Sequence, residues 1–445
     1  MSKEGLIVGF NDLHSSKTLK GIEFVDILRD GKTKRYKIID TEEELITYLS
    51  RSTKYAENKM YILVTFECNN ICGIFHNVIF LEKFKINSYS EPKLDDSLYL
   101  SFTECDFFQD IELLGGDYKR IKINESIIGG NIFIRYINCE KARINNAIFK
   151  ENIALENSEI GTLNVNTSKI EENLLFQQVN ILNEFILDKV AGKKDLGFMD
   201  CRFEGLSKLE LDISGELNFS RCSFYKKAEI NFNELGGKFS LYKTNFSDKC
   251  YLEYELFENK MYKPLIFEDN YKKTKWNFLI VSDIYKSSGR TEQYLETFYY
   301  FKKYERLERK YEKGYKFSLL DYLIGITTKY YTSWKRTLLS MGFIILTFFL
   351  LYCSFPNLLM NNHAPISEKN LFITIFDMYQ FSNFDMHFLI SKFGNALYFT
   401  IITFTTVGYG DITPLNWMKL AVSLESFLGI FFSSSFVVSL SRRFL

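Results

Sequence analysis

The spacing of hydrophobic residues along the chain changes twice, and each change marks a different kind of structure. From about residue 98 to 255 the apolar positions repeat. Phe198-Met-Asp-Cys-Arg-Phe203 returns 21 residues later as Phe219-Ser-Arg-Cys-Ser-Phe224, and 22 residues after that as Leu241-Tyr-Lys-Thr-Asn-Phe246; Phe102-Thr-Glu-Cys-Asp-Phe107 is an earlier copy. Leu209 and Leu211 return as Ile230 and Phe232, and upstream a half-period shows as Ile153, Leu155 and Ile160 followed ten residues on by Leu163, Val165 and Ile170. A fixed period with apolar residues at short spacings predicts a β-solenoid, in which each coil stacks its interior side chains on the coil below. The small Cys201 and Cys222 suit places where that interior narrows. A bare coil end exposes unpaired strand edges, so an edge-capping segment is expected. An ordinary antiparallel β domain is the competing reading. Before the repeats, Ile22–Leu28, Tyr36–Ile39 and Tyr61–Phe66 read as strands and Thr41–Leu49 as a capped helix. Together they predict a small α/β or capping unit over the solenoid's end.

Beyond the repeats the period becomes three and four. Tyr294, Phe298, Phe301, Tyr304, Leu307 and Tyr311 form one stripe, predicting a helix over 282–313 that Gly314 would end. Ser318–Ile326 is apolar but too short to cross a bilayer, and Lys329–Arg336 follows it with basic and aromatic residues. This predicts an amphipathic helix lying on the inner membrane surface, either transmitting motion of the cytosolic part or tethering it passively. Then periodicity gives way to continuous hydrophobicity. Leu338–Phe355 carries no charge and has bilayer-spanning length. Trp417–Leu440 is interrupted only by Lys419 and Glu425. Lys335 and Arg336 precede the first stretch, Arg442 and Arg443 follow the second, and residues 301–336 hold ten Lys/Arg against four Asp/Glu. The excess of basic residues at both outer flanks predicts a multi-pass protein of the plasma (cytoplasmic) membrane with N- and C-termini in the cytoplasm.

Charge and composition narrow the function. The 55 basic and 55 acidic side chains balance, so no basic excess speaks for a nucleic-acid partner. Eight cysteines are present, but the start Met1-Ser-Lys-Glu-Gly has no apolar run, so reduced thiols in a cytosolic domain are expected. Cys68 and Cys72 have neither a second pair nor a nearby histidine, so no zinc site is expected. No phosphate-cradling glycine motif and no acid–base constellation is present; the chain is expected not to be an enzyme and to carry no cofactor.

Between the apolar stretches stands Asn395-Ala-Leu-Tyr-Phe-Thr-Ile-Ile-Thr-Phe-Thr-Thr-Val-Gly-Tyr-Gly-Asp411. A cation entering a narrow pore must exchange water for other oxygens, and backbone carbonyls of successive residues can supply them. Such a backbone visits conformations open to glycine, which accounts for Gly408 and Gly410. Val407 and Tyr409 then turn their side chains away to pack behind the carbonyls. The second stretch also carries Glu425, the only acid in either span; intramembrane carboxyls are costly and usually paired or functional. Glu425 is predicted to hydrogen-bond behind the filter, to Thr403 or Thr405. Gly429 serves as a hinge or as a close-packing point. Phe431, Phe432, Phe436 and Val437 either form an inner hydrophobic constriction or face lipid.

The run Thr405–Asp411, with Pro414 beyond it, resembles the potassium-channel signature, and its setting resembles that of two-transmembrane, single-pore-loop prokaryotic-type potassium channels. The resemblance implies a homotetramer in which the carbonyls of Thr406, Val407, Gly408 and Tyr409 form the K+ sites of a filter spanning 406–410, supported by Thr405, Asp411 and Glu425. It also implies a pore helix at about 393–405, spans at about 338–355 and 417–440, and gating elements at Gly429, Phe432 and Phe436. Permeant K+ is the only bound species implied. The repeats resemble pentapeptide-repeat proteins, which form right-handed four-sided β-helices, although few units here match the Ala-(Asp/Asn)-Leu-x-x form. The expected architecture is multidomain: an N-terminal unit over 1–95, a cytosolic β-solenoid over 96–260, a helical connector over 261–336, and an all-α pore domain over 337–445. The expected function is a potassium channel whose repeat domain serves assembly or gating, with room for an unknown ligand or protein partner. A weakly selective cation channel and a membrane-tethered scaffold with a vestigial pore are the alternatives.

Overall fold

The computed structural model describes residues 7–9, 23–29, 32–41, 44, 72–81, 83–87, 98–254, 257, 259, 261–312, 319–361, 364–380 and 386–444. The chain divides into two units, Met1–Thr297 and Phe298–Leu445.

The first unit is a β-solenoid. Its strands pair in parallel with partners 21 or 22 residues away, as in Asp117↔Asn138↔Glu159↔Asn180 and Ile132↔Ile153↔Leu174↔Leu196. Parallel pairing at that offset is what an antiparallel domain cannot produce, so the repeat period is the coil length. One wall of four-residue strands is an eight-stranded sheet running from Phe84–Asn87 to Phe239–Ser240.

The six-residue motif has a mechanical explanation. Its third residue is left-handed in each copy: Glu104 (φ 53°), Asp200 (56°), Arg221 (57°) and Lys243 (58°). That residue turns the chain at a corner. The fourth residue then points inward under the turn and must be small: Cys105, Cys201, Cys222 and Thr244 are all buried. The cysteine thiols donate to carbonyls, Cys201 to Phe176 at 3.5 Å and Cys222 to Phe198 at 3.3 Å. The flanking phenylalanines stack from coil to coil, with ring centroids 4.7 Å apart for Phe198–Phe219 and 4.5 Å for Phe203–Phe224. On the surface a side-chain ladder follows the same offset: Asn131 donates to Asp110, Asn152 to Asn131 and Asn173 to Asn152, at 3.0–3.1 Å.

The coils begin earlier than residue 96. Cys72–His76, Val78–Phe80 and Phe84–Asn87 already pair in parallel with Leu98–Thr103, Asp106–Phe107 and Ile111–Leu114. Phe75-His-Asn-Val-Ile-Phe80 is a further motif copy, with Asn77 left-handed (φ 54°), and valine in place of cysteine hides it in the sequence. Ahead of it, Phe24–Arg29 and Lys32–Ile39 form the antiparallel hairpin expected from Ile22–Leu28 and Tyr36–Ile39, and Lys37–Ile39 joins Val78–Phe80. Val25, Tyr36, Ile38, Ile79 and Leu81 pack together there. At Thr41 a helix-start signature is present: its hydroxyl accepts the Glu44 N–H at 3.2 Å, while the Glu44 carboxylate accepts the Asp40 N–H at 2.8 Å. The rest of that helix, the predicted strand Tyr61–Phe66 and Cys68 lie outside the described residues.

The far end of the solenoid is capped by helix α1 (Tyr271–Ser287). Buried Asn277 faces the last turns of the coil. Its amide oxygen accepts the Leu241 N–H at 2.8 Å, and its NH2 donates to Phe239 O at 3.1 Å and Leu265 O at 3.0 Å. Tyr254, Phe257, Tyr262 and Phe278 continue the aromatic interior into the cap. The single helix predicted over 282–313 is instead two. α1 stops at Ser287, Gly289 takes φ +74°, and α2 runs from Thr291 to Tyr311. The stripe from Tyr294 to Tyr311 belongs wholly to α2.

The second unit holds α3 (Leu319–Thr328), α4 (Trp334–Ser354), α5 (Leu371–Gln380), α6 (Met386–Phe404) and α7 (Met418–Phe444). Two of these, α4 and α7, are long and apolar enough to cross a membrane. The Ser333 hydroxyl caps α4 by accepting the Arg336 N–H. The predicted short pore helix is longer than expected, because α6 begins at Met386 rather than near 393. The segment after α4 has a use the sequence did not reveal. Leu359–Asn361 pairs antiparallel with Ile412–Pro414, lacing the chain just after the filter to the end of α4.

Candidate functional site

α6 is buried on one side between α4 and α7. Ala396, Phe399, Thr400, Ile402 and Thr403 are all buried. Phe399 meets Tyr352 of α4 at 5.1 Å between ring centroids. At its C-terminal end, α6 leans directly on α7 at Gly429: a Cβ built there would lie 1.9 Å from the Phe404 carbonyl oxygen. α7 runs unbroken through this glycine. Of the two uses read for Gly429, close packing is the one with a contact to account for it.

The filter residues hang from this helix end. The N–H groups of Thr406, Val407 and Gly408 turn back to the carbonyls of Thr403 and Ile402, at 3.0, 2.9 and 3.2 Å. The sign of φ alternates along the segment: Thr406 (58°), Gly408 (53°) and Gly410 (80°) are left-handed, whereas Val407 and Tyr409 are not. Alternating handedness lines up successive peptide units, with N–H groups on one side and carbonyls on the other. No described residue donates a hydrogen bond to the carbonyls of Thr406, Val407, Gly408 or Tyr409. The left-handed Thr406 is also held by its hydroxyl, which donates to the Thr405 carbonyl at 2.7 Å. Thr405 donates in turn to Ile401 O at 2.7 Å. Asp411 closes the segment and interacts with the Tyr398 hydroxyl on α6. The structure thus brings Thr405–Asp411 together as one braced, carbonyl-presenting strand.

Within one chain this strand is bare. Val407 is 52% and Tyr409 73% exposed, and Thr405–Asp411 are exposed throughout. The packing expected behind the filter for Val407 and Tyr409 is not supplied by the chain itself.

Glu425 departs from its expected partners. It is fully buried, and its Oε2 accepts the Tyr352 hydroxyl of α4 at 2.5 Å, not a group on Thr403 or Thr405. The reason is direction: the face of α7 that carries Glu425 turns toward α4. Its neighbour Ser426 is the one that reaches α6, donating to the Thr403 carbonyl at 3.4 Å. Tyr352 was missed in the sequence, although it is the only tyrosine in the first span and so the natural partner for the only acid. Phe432 shares the buried face with Glu425 and Gly429, Phe431 and Phe436 are half-buried, and Val437 is exposed. The exposed apolar side of α7 is made instead by Leu420, Leu424, Phe427, Ile430 and Val437.

A second cluster gathers at the other end of α7. The Arg442 guanidinium donates to the Tyr330 carbonyl at 3.2 Å and lies 5.1 Å from the Phe298 ring of α2. Lys329, Tyr330 and Tyr331, between α3 and α4, are three successive left-handed non-glycine residues (φ 50°, 55°, 64°). Nearby, Thr337 and Ser439 share a hydrogen bond at 3.4 Å. Among the described residues no group of three or more His, Cys, Asp or Glu is placed to hold a metal ion.

The family model described as "Ion channel" matches residues 368–445. Comparison of the chain with curated proteins and with solved structures found no significant match. The match covers α6, the filter strand and α7. The C-terminal region is therefore an ion-channel domain, set in a membrane by α4 and α7 and preceded by a β-solenoid unit.

Proposed function

Taking the ion-channel domain as its premise, we propose that four copies of the chain form a potassium-selective channel of the plasma membrane. The observation that carries this reading is the Thr406–Gly410 strand: alternating in φ, free of hydrogen bonds to its carbonyls, and exposed in the single chain. Irregular backbone at membrane depth persists only where protein buries it or it lines a watery path. The exposed filter therefore calls for neighbours of its own kind, with the carbonyls of Thr406, Val407, Gly408 and Tyr409 turned to a shared axis. There they replace the hydration shell of K+. α6 aims its C-terminal end at the same place, and the partial negative charge of that end favours a cation. Gly408 and Gly410 supply the left-handed backbone, Thr405 and Asp411 brace it, and α7 of each copy carries the inner wall.

The basic flanks of α4 and α7 put the solenoid and both termini in the cytoplasm. α3 presents Leu319, Leu320, Leu323 and Ile326 outward, as a helix lying on the inner membrane surface does. Arg442, held on Tyr330 and Phe298, joins the inner end of α7 to the connector. The solenoid serves assembly or gating, and a ligand or protein bound there would act through that joint.

The test is ion flux from vesicles holding the purified full chain, under potassium and sodium gradients. Potassium flux well above sodium flux is expected. The Gly408→Ala variant should abolish it, since a left-handed alanine costs about 1–2 kcal/mol in every subunit. Equal fluxes would leave a weakly selective cation pore. No flux from an intact tetramer would leave a membrane-tethered scaffold with a vestigial pore.

A further inference from the structure

We infer that Tyr352 is a positioning residue for ion selection, acting on the filter through Glu425. This rests on the channel reading and deepens it. Three contacts converge on the last turn of α6 from behind. The Tyr352 ring packs on Phe399, Ser426 donates to Thr403 O, and the backbone of Gly429 abuts Phe404. Ser426 and Gly429 belong to α7 and Tyr352 to α4, so the seat of α6 is made of two helices. What fixes those two helices to each other at this level is the Tyr352–Glu425 hydrogen bond, 2.5 Å long between two side chains with no exposure to solvent.

The geometry makes the link directional. Tyr352 has its ring on α6 and its hydroxyl on α7, so it ties all three helices at one depth. Glu425 has one described donor: Oε1 accepts no hydrogen bond from any described residue, and Oε2 has only Tyr352. Loss of that hydroxyl leaves a buried carboxyl without a partner and frees α7 to shift against α4. The shift is passed on through Ser426 and Gly429 to Thr403 and Phe404. The N–H groups of Thr406, Val407 and Gly408 hang from Ile402 and Thr403, so the carbonyls that meet the ion move with them. The consequence is lost discrimination rather than lost assembly, because ion selection depends on small differences in carbonyl position and number.

The experiment compares wild type, Tyr352→Phe and Glu425→Gln as full-length protein in phosphatidylcholine–phosphatidylglycerol vesicles. Potassium and sodium flux are read separately, and particle size is measured in parallel. Tyr352→Phe is expected to keep the assembled particle and lose about tenfold in the potassium-to-sodium flux ratio, the scale of one lost buried hydrogen bond. Glu425→Gln keeps an acceptor for Tyr352 and is expected to keep the wild-type ratio. Tyr352→Phe with an unchanged ratio overturns the inference. If that variant fails to assemble, the double variant Tyr352→Phe/Glu425→Leu carries the test, because it leaves no unpaired buried carboxyl. An assembled double variant with a lowered ratio supports positioning, and one with the wild-type ratio, or one that also fails to assemble, reduces the pair to packing and overturns it. A wild-type protein without flux fails the channel reading itself, which the variants do not address.

Discussion

Replacing Gly429 by alanine tests the packing of the pore most directly. The added methyl would lie 1.9 Å from the Phe404 carbonyl oxygen, 2.8 Å from its carbonyl carbon and 3.2 Å from its Cα. All three are backbone atoms at the end of α6, so no side chain can rotate away. Ordinary contact needs roughly 3.5 Å, so the end of α6 must retreat by about 1.5 Å. Alanine favours a helix over glycine by about 1 kcal/mol, which works in the variant's favour. Overpacking of a close contact costs about 1–3 kcal/mol, and a rigid backbone places this case at the upper end. The expected net effect is a loss of about 2 kcal/mol per subunit, combining those two terms. Because Phe404 precedes the filter by two residues, the retreat should also disturb ion selection. Thermal melting of the purified assembly and the potassium-to-sodium flux ratio read both effects. Gly342→Ala in α4 is the control: a Cβ there meets nothing within 4 Å, so melting should be unchanged or slightly raised. A hinge at Gly429 predicts a different pattern, with fewer openings at an unchanged ratio and unchanged melting. If Gly429→Ala melts with wild type and selects as wild type, the close approach of α6 to α7 is wrong.

Three further outcomes follow from other parts of the molecule. Asn277→Leu removes the side chain that satisfies Leu241 N–H, Phe239 O and Leu265 O, and should cost the solenoid about 3 kcal/mol in urea unfolding, with hydrogen exchange rising first at its C-terminal coils. Arg442→Ala removes the contacts with Tyr330 O and Phe298, and should change open probability in single-channel recording while leaving the potassium-to-sodium ratio intact; a changed ratio with unchanged gating would refute the joint. The Arg221 guanidinium, bidentate on Asp200 at 2.6 and 2.7 Å, holds that carboxyl below its ordinary range. A lowered folded-state value means the stabilisation is full above about pH 4, the ordinary aspartate value, and is lost as pH falls through the lower one. The pair is exposed, so Arg221→Ala should cost about 0.5 kcal/mol at neutral pH and nothing at strongly acid pH.

Much of this protein was legible before any coordinates. The period of 21–22 is the coil length because parallel coils must return each residue above its predecessor. The two apolar stretches declare themselves by length, and the Thr405–Asp411 run declares the ion path. The failures are equally physical. The coil at Phe75–Phe80 was hidden because valine fills the corner that cysteine fills elsewhere. The single helix over 282–313 was overextended because an apolar stripe does not show that Gly289 adopts a left-handed turn.

What the sequence settles by itself is whatever depends on local spacing: coil length, span length, and glycine where the backbone turns left-handed. What only the tertiary structure decides is which way a side chain faces once helices pack. Glu425 lies within a turn of residues that touch α6, yet the rotation of α7 sends its carboxyl to Tyr352, 73 residues earlier in the chain. The same rotation buries Phe432 and leaves Phe427 bare. Pairing across such a distance leaves no mark in local periodicity, because it is set by how two helices roll against each other, and that roll is fixed by contacts such as Gly429 on Phe404.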